Sequence, residues 1–299
     1  MALVGLIMAG GIGTRMKSAT NKLLHPILGR EVIRFPVESL REGGAERVVL
    51  VVGPHNQETL KGFFQEKVEY ALQSKPLGTA DAVKAGVREL GGFQGELLIT
   101  VGDNPYLDAA TVKEFLEYHR AEENDVSIIT TEFDNPPPYG RIVKDRQGRF
   151  LRIVEEVVAS PEEKRIKEVS SSIFVFRWPR LLSCLERVED HNPKREFFLV
   201  DAINIGAAEG LKVGIFKVEE QEITEGINNR EDLTSAISYF NRKNQKRLGE
   251  GGVTFVSPEN TFVEFDVEIG NDTVVYPFNY LRRGTVVPPG STVFPFTYR

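Results

Sequence analysis

Three glycines, Gly10, Gly11 and Gly13, fall within four positions directly after an apolar run, and two cations, Arg15 and Lys22, follow them. A glycine-rich turn after a strand lets backbone N–H groups face a concavity with no Cβ in the way, which suits a chain of phosphates. The spacing matches neither G-x-G-x-x-G nor G-x-x-x-x-G-K-[ST], and a plain tight turn would use glycine in the same way. Arg15, just past the turn, can hold phosphate oxygens through two parallel hydrogen bonds. Lys22 adds a point-like charge there, or is an ordinary surface lysine. Asp103 in "ITVGDNP" follows a second apolar run. Its carboxylate is a hard oxygen ligand of the kind Mg²⁺ takes alongside water and phosphate. An aspartate opening a turn before Pro105 reads the same way.

Strands and helices must place these groups. "ALVGLIM" before the glycines, then "RVVLVVG", "ELLITVGD", "DVSIITTEF", "SSSIFVF" and "LKVGIFKV" read as strands. "EVIRFPVESLREGG", "GTADAVKAGVREL" and "DAATVKEFLEYHRAEE" carry apolar residues at helical spacing between them. Strand–helix alternation with nearly continuous β-branched strands predicts an α/β fold, a Rossmann-like, mostly parallel sheet with helices on both faces. Ligands of such sheets bind beyond the carboxyl ends of the strands, and the glycine turn lies at one such end.

The bulk composition narrows the function classes. At 299 residues the chain can bury one large core or two smaller ones. A formal charge of −6 argues against a nucleic-acid binder. Cys184 is the single cysteine, so neither an intrachain disulfide nor a cysteine metal cage can form. The four histidines, His25, His55, His119 and His191, show no metal-ligand spacing. No apolar run is long enough to span a membrane, and the N-terminus has no secretory pattern, so a cytoplasmic protein with no membrane partner is expected.

The chain changes character after "NNREDLTSAISYFNRKNQKRLGEGG" (228–252), which reads as one amphipathic helix ended by glycine. Val263, Ile269, Val275, Leu281, Val287 and Val293 then recur every six residues, and Val267, Thr273, Asn279, Thr285, Ser291 and Thr297 form a second register. A period of six fits neither helix nor flat strand; it predicts a short left-handed parallel β-helix of hexapeptide repeats, about two triangular coils long. So short an array must pack on the preceding helix or on another subunit. Phe294, Phe296 and Tyr298 at its end predict a homo-oligomer contact, or else cap the coil.

"MAGGIGTRM…NK" resembles the G-G-x-G-T-R…P-K signature of the sugar-1-phosphate nucleotidyltransferases. The other landmarks stand in order. "ALQSKPLGTADAV" is similar to that family's Q…L-G-T, "VGDNPYL" to G-D-x-P-L, "PPPYGRIV" to Y-G-R-I, "FLRIVEE" to I-V-E, "REFFLVDAINI" to E-Y-Y-L-T-D and "EGINNREDL" to G-V-N-N-R. Within the family the combination looks most like the uridyltransferase domain of the bifunctional N-acetylglucosamine-1-phosphate uridyltransferases, which is also followed by a long helix and a β-helix. The resemblance implies three parts: a nucleotidyltransferase domain over 1–227, a connecting helix over 228–252 and the β-helix over 253–299. It implies an enzyme that joins a nucleoside triphosphate, UTP, to a sugar 1-phosphate with Mg²⁺ and releases pyrophosphate. Two coils and the absence of histidine after His191 predict no acetyltransferase activity.

By the same resemblance Met8, Ala9, Gly10, Gly11, Gly13 and Gly102 hold the nucleotide, Arg15 neutralises the leaving pyrophosphate, and Lys22 bridges phosphates of both reactants. Gln73, Gly78 and Thr79 would choose the base, because a glutamine amide offers a donor and an acceptor to the imide edge of a pyrimidine. That leaves UTP and dTTP equivalent. Asp103 and Asn228 would hold the metal; Asn228 could instead cap the helix after it, unless Asn229 does so. Gly140, Glu155 and Ser170 would meet the sugar. Ser170 stands where the family has asparagine in N-T-G, Val101 replaces an aromatic, and "NK" replaces "PK". The phosphate chemistry is untouched by these departures, but the sugar could differ, with glucose 1-phosphate as the main alternative. A non-catalytic nucleotide-sugar-binding protein would keep the same fold.

Overall fold

The structure is a computed structural model that describes residues 1–297. It divides into two compact units: Met1–Gly13 with Phe35–Gly226, and Thr14–Arg34 with the chain from Ile227 onward.

The first unit is built on a nine-stranded sheet. Its strands are β1 (Leu3–Met8), β2 (Arg47–Val52), β3 (Glu69–Leu72), β4 (Gly95–Val101), β5 (Val126–Glu132), β6 (Arg141–Lys144), β7 (Phe150–Val154), β8 (Glu168–Trp178) and β9 (Val213–Lys217). The helices are α1 (Arg34–Glu42), α2 (Gln57–Phe64), α3 (Thr79–Arg88), α4 (Ala109–Ala121), α5 (Leu182–Glu186) and α6 (Leu199–Ala208). Across the sheet the order is β9-β5-β8-β4-β1-β2-β3, with β6 pairing β8 and β7. The β1, β2, β3 and β4 pairings are parallel, as is β5 with β9. Leu6, Ile7, Val49, Leu50, Leu97 and Ile99 are fully enclosed, as strands covered on both faces require.

An all-parallel sheet does not form. β8 runs antiparallel to both β4 and β5. It follows the β6–β7 hairpin rather than a crossover helix, and only a crossover could return the chain parallel. Its register shifts between Ser170 and Phe174, with Ser172 at φ +61°. This bulge lets one strand pair β5 along its length and meet β6 at Val169–Arg141.

His119 of α4 is buried, its Nδ1 lies 2.8 Å from Ser127 Oγ, and burial pushes its pKa down to about 4. The folded ring stays neutral where the unfolded ring, near 6.5, takes a proton. Its contribution to stability is therefore complete above pH 6.5 and is lost as the pH falls through about 4. Replacing His119 by Gln is expected to flatten the stability profile in that window by at most about 3 kcal/mol, read by denaturant titration at several pH values.

In the second unit α7 (Arg230–Glu250) starts at a capping box: Asn229 Oδ1 accepts from the Asp232 backbone N–H at 3.0 Å while the Asp232 carboxylate accepts from Asn229 N. Short parallel strands then stack in three separate sheets. Three registers step by eighteen residues, 261 to 279, 268 to 286 and 274 to 292, and the first, 254 to 274, by twenty, so one coil has three faces. Left-handed residues recur at Asp266, Asp272, Phe278, Gly284, Gly290 and Phe296, one at each six-residue corner. Val263, Val275, Leu281, Val287 and Val293 are buried and Ile269 half-buried. In the second register Val267, Thr273 and Asn279 are buried, while Thr285, Ser291 and Thr297 are half-buried. The array packs on α7: Asn241 and Gln245 each donate to Thr261 O at 2.7 Å, and Asn244 donates to Val263 O at 3.1 Å. The segment before α1 joins the same unit, with Phe265 N donating to Leu28 O at 3.1 Å and Arg30 over the Phe265 ring at 4.5 Å.

Leu281→Ala is expected to lower the stability of this unit by about 2–5 kcal/mol, because the fully buried side chain leaves a cavity between stacked coils; a shifted denaturation midpoint would show it. Outside, Tyr276 stacks with Phe294 and Phe278 with Phe296, centroids 6.4 and 5.5 Å apart. Phe294 and Phe296 stay 66% and 80% exposed; Tyr298 lies outside the described residues. Among the described residues no helix is long and apolar enough to cross a membrane.

Candidate active site

The glycine turn leaves the end of β1, in the middle of the sheet. Ala9 is tied on both sides: its N–H donates to Val51 O at 2.8 Å and its carbonyl accepts from Asn56 Nδ2 at 2.8 Å. Asn56 Oδ1 accepts from Gly53 N, and the His55 ring lies 3.3 Å from Gly11 O. Met8 O accepts from Gly102 N at 2.9 Å, so the turn after β4 is anchored to β1. The backbone N–H groups of Gly10, Gly11, Ile12 and Gly13 meet no acceptor among the described residues. A run of unspent amides in an open turn is a ready anion cradle.

Asn56 was not singled out by sequence reasoning. Its signal was the position of "GPHNQ" at the carboxyl end of β2, beside the glycine turn in the sheet.

Gln73 is buried beside the turn, and a Cβ on Gly10 would lie 3.0 Å from its Oε1. Its amide nitrogen is already committed, to Gly78 O at 3.0 Å and Asp81 Oδ2 at 2.9 Å. Only its oxygen is open toward Gly10, so the donor half of the expected base contact is spent on holding the Gly78 turn. Gly78 sits at φ +117°, where a Cβ would meet Phe197 O at 2.5 Å. Thr79 Oγ accepts from Leu199 N at 2.8 Å and so joins α3 to the start of α6.

Asp103 occupies the turn after β4. Asn104 holds that turn from behind: its Oδ1 accepts from Tyr106 N at 2.9 Å and its Nδ2 donates to Ile223 O at 2.7 Å. A Cβ on Gly226 would stand 3.1 Å from Asp103 Oδ1, so any side chain there would crowd the carboxylate. No group of three acidic, histidine or cysteine side chains placed to hold a metal ion occurs among the described residues. A single hard carboxylate oxygen suits Mg²⁺, which keeps most of its own water, and suits zinc poorly.

The sugar candidates converge. Ser170 N donates to Gly140 O at 2.8 Å, and Glu155 Oε1 lies 3.8 Å from where a Gly140 Cβ would be. Ser170 Oγ is buried without a partner. Burial raises the Glu155 pKa; Asp201 and Glu196 push the same way and Lys194 opposes them. Arg141 stiffens this corner by donating to Pro137 O at 3.0 Å and pairing with Glu156 at 2.8 Å.

In the second unit Arg15 and Asn228 are brought together: the Arg15 guanidinium donates to Asn228 Oδ1 at 2.9 Å. The oxygen expected on a metal thus holds the arginine here. Asn229, and not Asn228, caps α7. Arg230 Nε donates to Met16 O at 3.2 Å and fixes the turn after Arg15. Lys22 opens a short 3₁₀ turn whose preceding Asn21 accepts from Leu23 N at 2.9 Å.

Residues 4–221 match the nucleotidyl transferase family. The chain is 37% identical over 293 residues to the bifunctional protein GlmU of Caldanaerobacter subterraneus, covering 98% of this chain and 64% of that protein. It is 38% identical over 295 residues to that of Acetivibrio thermocellus, covering 97% and 64%. The chain therefore spans a little under two thirds of the length of these relatives. In fold it is similar to a solved structure described as a glucose-1-phosphate thymidylyltransferase from Bacillus anthracis. That likeness has a TM-score of 0.65 and 19% identity, over 80% of this chain and 95% of that one. On the family match, the turn, the strand order and the landmarks in sequence, the chain belongs to the nucleotidyl transferase family.

Proposed function

We propose that these 299 residues catalyse uridylyl transfer: UTP and N-acetylglucosamine 1-phosphate give UDP-N-acetylglucosamine and pyrophosphate. An oxygen of the sugar phosphate forms a bond to the α-phosphorus while the bond from that phosphorus to its bridging oxygen breaks. Two polyanions must be aligned and their charge offset, so positioning and electrostatics carry the reaction. The observation that supports this most is the row of unspent amides from Gly10 to Gly13, with Arg15 two residues on.

In this reading the turn amides bind triphosphate oxygens, and Arg15 leaves Asn228 to take the pyrophosphate charge. Lys22 offsets the two phosphate chains. Gln73 Oε1 accepts from the imide N–H of uracil. Asp103 and Asn228 would hold Mg²⁺, which when bound supplies charge neutralisation at the phosphates. Glu155 accepts from sugar hydroxyls, and the buried Ser170 hydroxyl gains the partner it lacks. Acetyl transfer is not proposed, and the exposed aromatic ladder of the coil is the face proposed for contact between copies.

Pyrophosphate release tests the reading, with UTP and dTTP against N-acetylglucosamine, glucose and galactose 1-phosphates, with and without Mg²⁺. Metal-dependent turnover highest with UTP and N-acetylglucosamine 1-phosphate is expected. Highest turnover with another pair would move the assignment to that pair, and binding without turnover would leave a nucleotide-sugar-binding role.

A further inference from the structure

The turn between β2 and α2 runs alongside the glycine turn, because Met8 pairs with Val51 in parallel register. Two of its side chains cross to the glycine turn, and both meet carbonyls. Asn56 is buried; its Nδ2 donates to Ala9 O at 2.8 Å while its Oδ1 accepts from Gly53 N at 2.9 Å. Only one orientation of the amide serves both bonds, so its donor is fixed on Ala9. The His55 ring reaches Gly11 O through Nε2 at 3.3 Å. A carbonyl can only accept, so this bond puts a proton on Nε2.

Gly53 seats the ring: a Cβ there would stand 2.7 Å from His55 Cε1 and 2.8 Å from Nδ1. The same Cβ would lie 3.2 Å from Gly10 O, so the carbonyl between the two clamped ones borders this turn as well. A trans peptide is planar, with its C=O and N–H on opposite sides. Carbonyls of Ala9, Gly10 and Gly11 held toward residues 53–56 therefore turn the amides of Gly10, Gly11 and Ile12 the other way. These are amides that meet no acceptor among the described residues. Gly10 and Gly11 have no Cβ to restrict them, so nothing in their own chemistry keeps the peptides in that orientation. Donors that must be aimed at the moment of binding cost conformational entropy, and donors already aimed do not.

We propose that His55 is a positioning residue for the nucleotide: by holding Gly11 O it aims the Ile12 amide, as Asn56 through Ala9 O aims that of Gly10, so the turn meets a triphosphate already formed. The clamp deepens the reading of this corner as the triphosphate site and rests on it. His55 is exposed and Asn56 is buried, so His55 is the member that can be altered without loss of packing.

The test measures Kd for UTP and for inorganic tripolyphosphate, which has the phosphates without the base, each with Mg²⁺. The proteins are the parent chain, His55→Ala, His55→Gln, Gly53→Ala and the double variant of His55→Ala with Gly53→Ala. His55→Ala is expected to weaken UTP and tripolyphosphate alike, by about five- to tenfold, the worth of one hydrogen bond. KM for N-acetylglucosamine 1-phosphate and the thermal midpoint should not move. His55→Gln, which keeps a donor, should recover most of the loss. Gly53→Ala displaces the ring, so it should weaken UTP in the parent chain and much less in the His55→Ala background. UTP affinity of His55→Ala within about twofold of the parent overturns the clamp. Equal weakening by His55→Gln and His55→Ala overturns it too, as does a loss confined to UTP, which would place His55 at the base. No UTP binding by the parent chain overturns the reading of the corner as well.

Discussion

Asp103→Asn is expected to reduce kcat about a thousandfold while leaving the thermal midpoint within a degree or two. The substitution keeps the shape of the side chain and removes only its charge. The turn that carries it is held independently by Asn104, which binds Tyr106 N and Ile223 O, so the backbone has no reason to move. A carboxamide is a far weaker ligand for a hard divalent ion than a carboxylate, and the phosphates would lose the charge that the ion brings. Pyrophosphate release at saturating substrates is the readout. Activity within tenfold of the parent would show that Asp103 does not hold the metal.

Gly78→Ala acts through the backbone instead. No L-residue is comfortable at φ +117°, and the new Cβ would stand 2.5 Å from Phe197 O and 2.6 Å from Phe197 N. Those two atoms are engaged: Phe197 N donates to Leu77 O at 2.7 Å, and its carbonyl accepts from Ala80 N at 2.8 Å. The clash therefore cannot be relieved by a side-chain rotation; the paired segments must part. A stability loss of about 3 kcal/mol or more is expected, from strain and the broken pairing together. Nucleotide affinity should fall with it, because Gln73 is oriented by Gly78 O. Denaturant titration and UTP binding measured on the same preparation check both. An unchanged midpoint would mean that the segment is less tightly held than its hydrogen bonds indicate.

What the sequence made legible followed from local chemistry. Glycines after an apolar run marked the turn because only glycine leaves backbone amides so exposed. The period of six marked the coil because each hexad repeats one inward aliphatic and one corner, and the left-handed residues from Asp266 to Phe296 fall on that period. Other features depend on partners far away in the chain. The antiparallel course of β8 is set by the hairpin before it, and its own residues read as any buried strand. Nothing local in residues 14–34 shows that they join the coil rather than the sheet, since that depends on Leu28 meeting Phe265. Gln73 reads as a base reader by residue type, yet Gly78 and Asp81 take its donors.

The central claim is that the first strand-to-helix corner grips a triphosphate. A crystal structure with UTP and Mg²⁺ tests it most directly. Phosphate oxygens within hydrogen-bond distance of the amides from Gly10 to Gly13, with Arg15 detached from Asn228, are the predicted result. A bound triphosphate that leaves those amides empty and Arg15 still on Asn228 would contradict it.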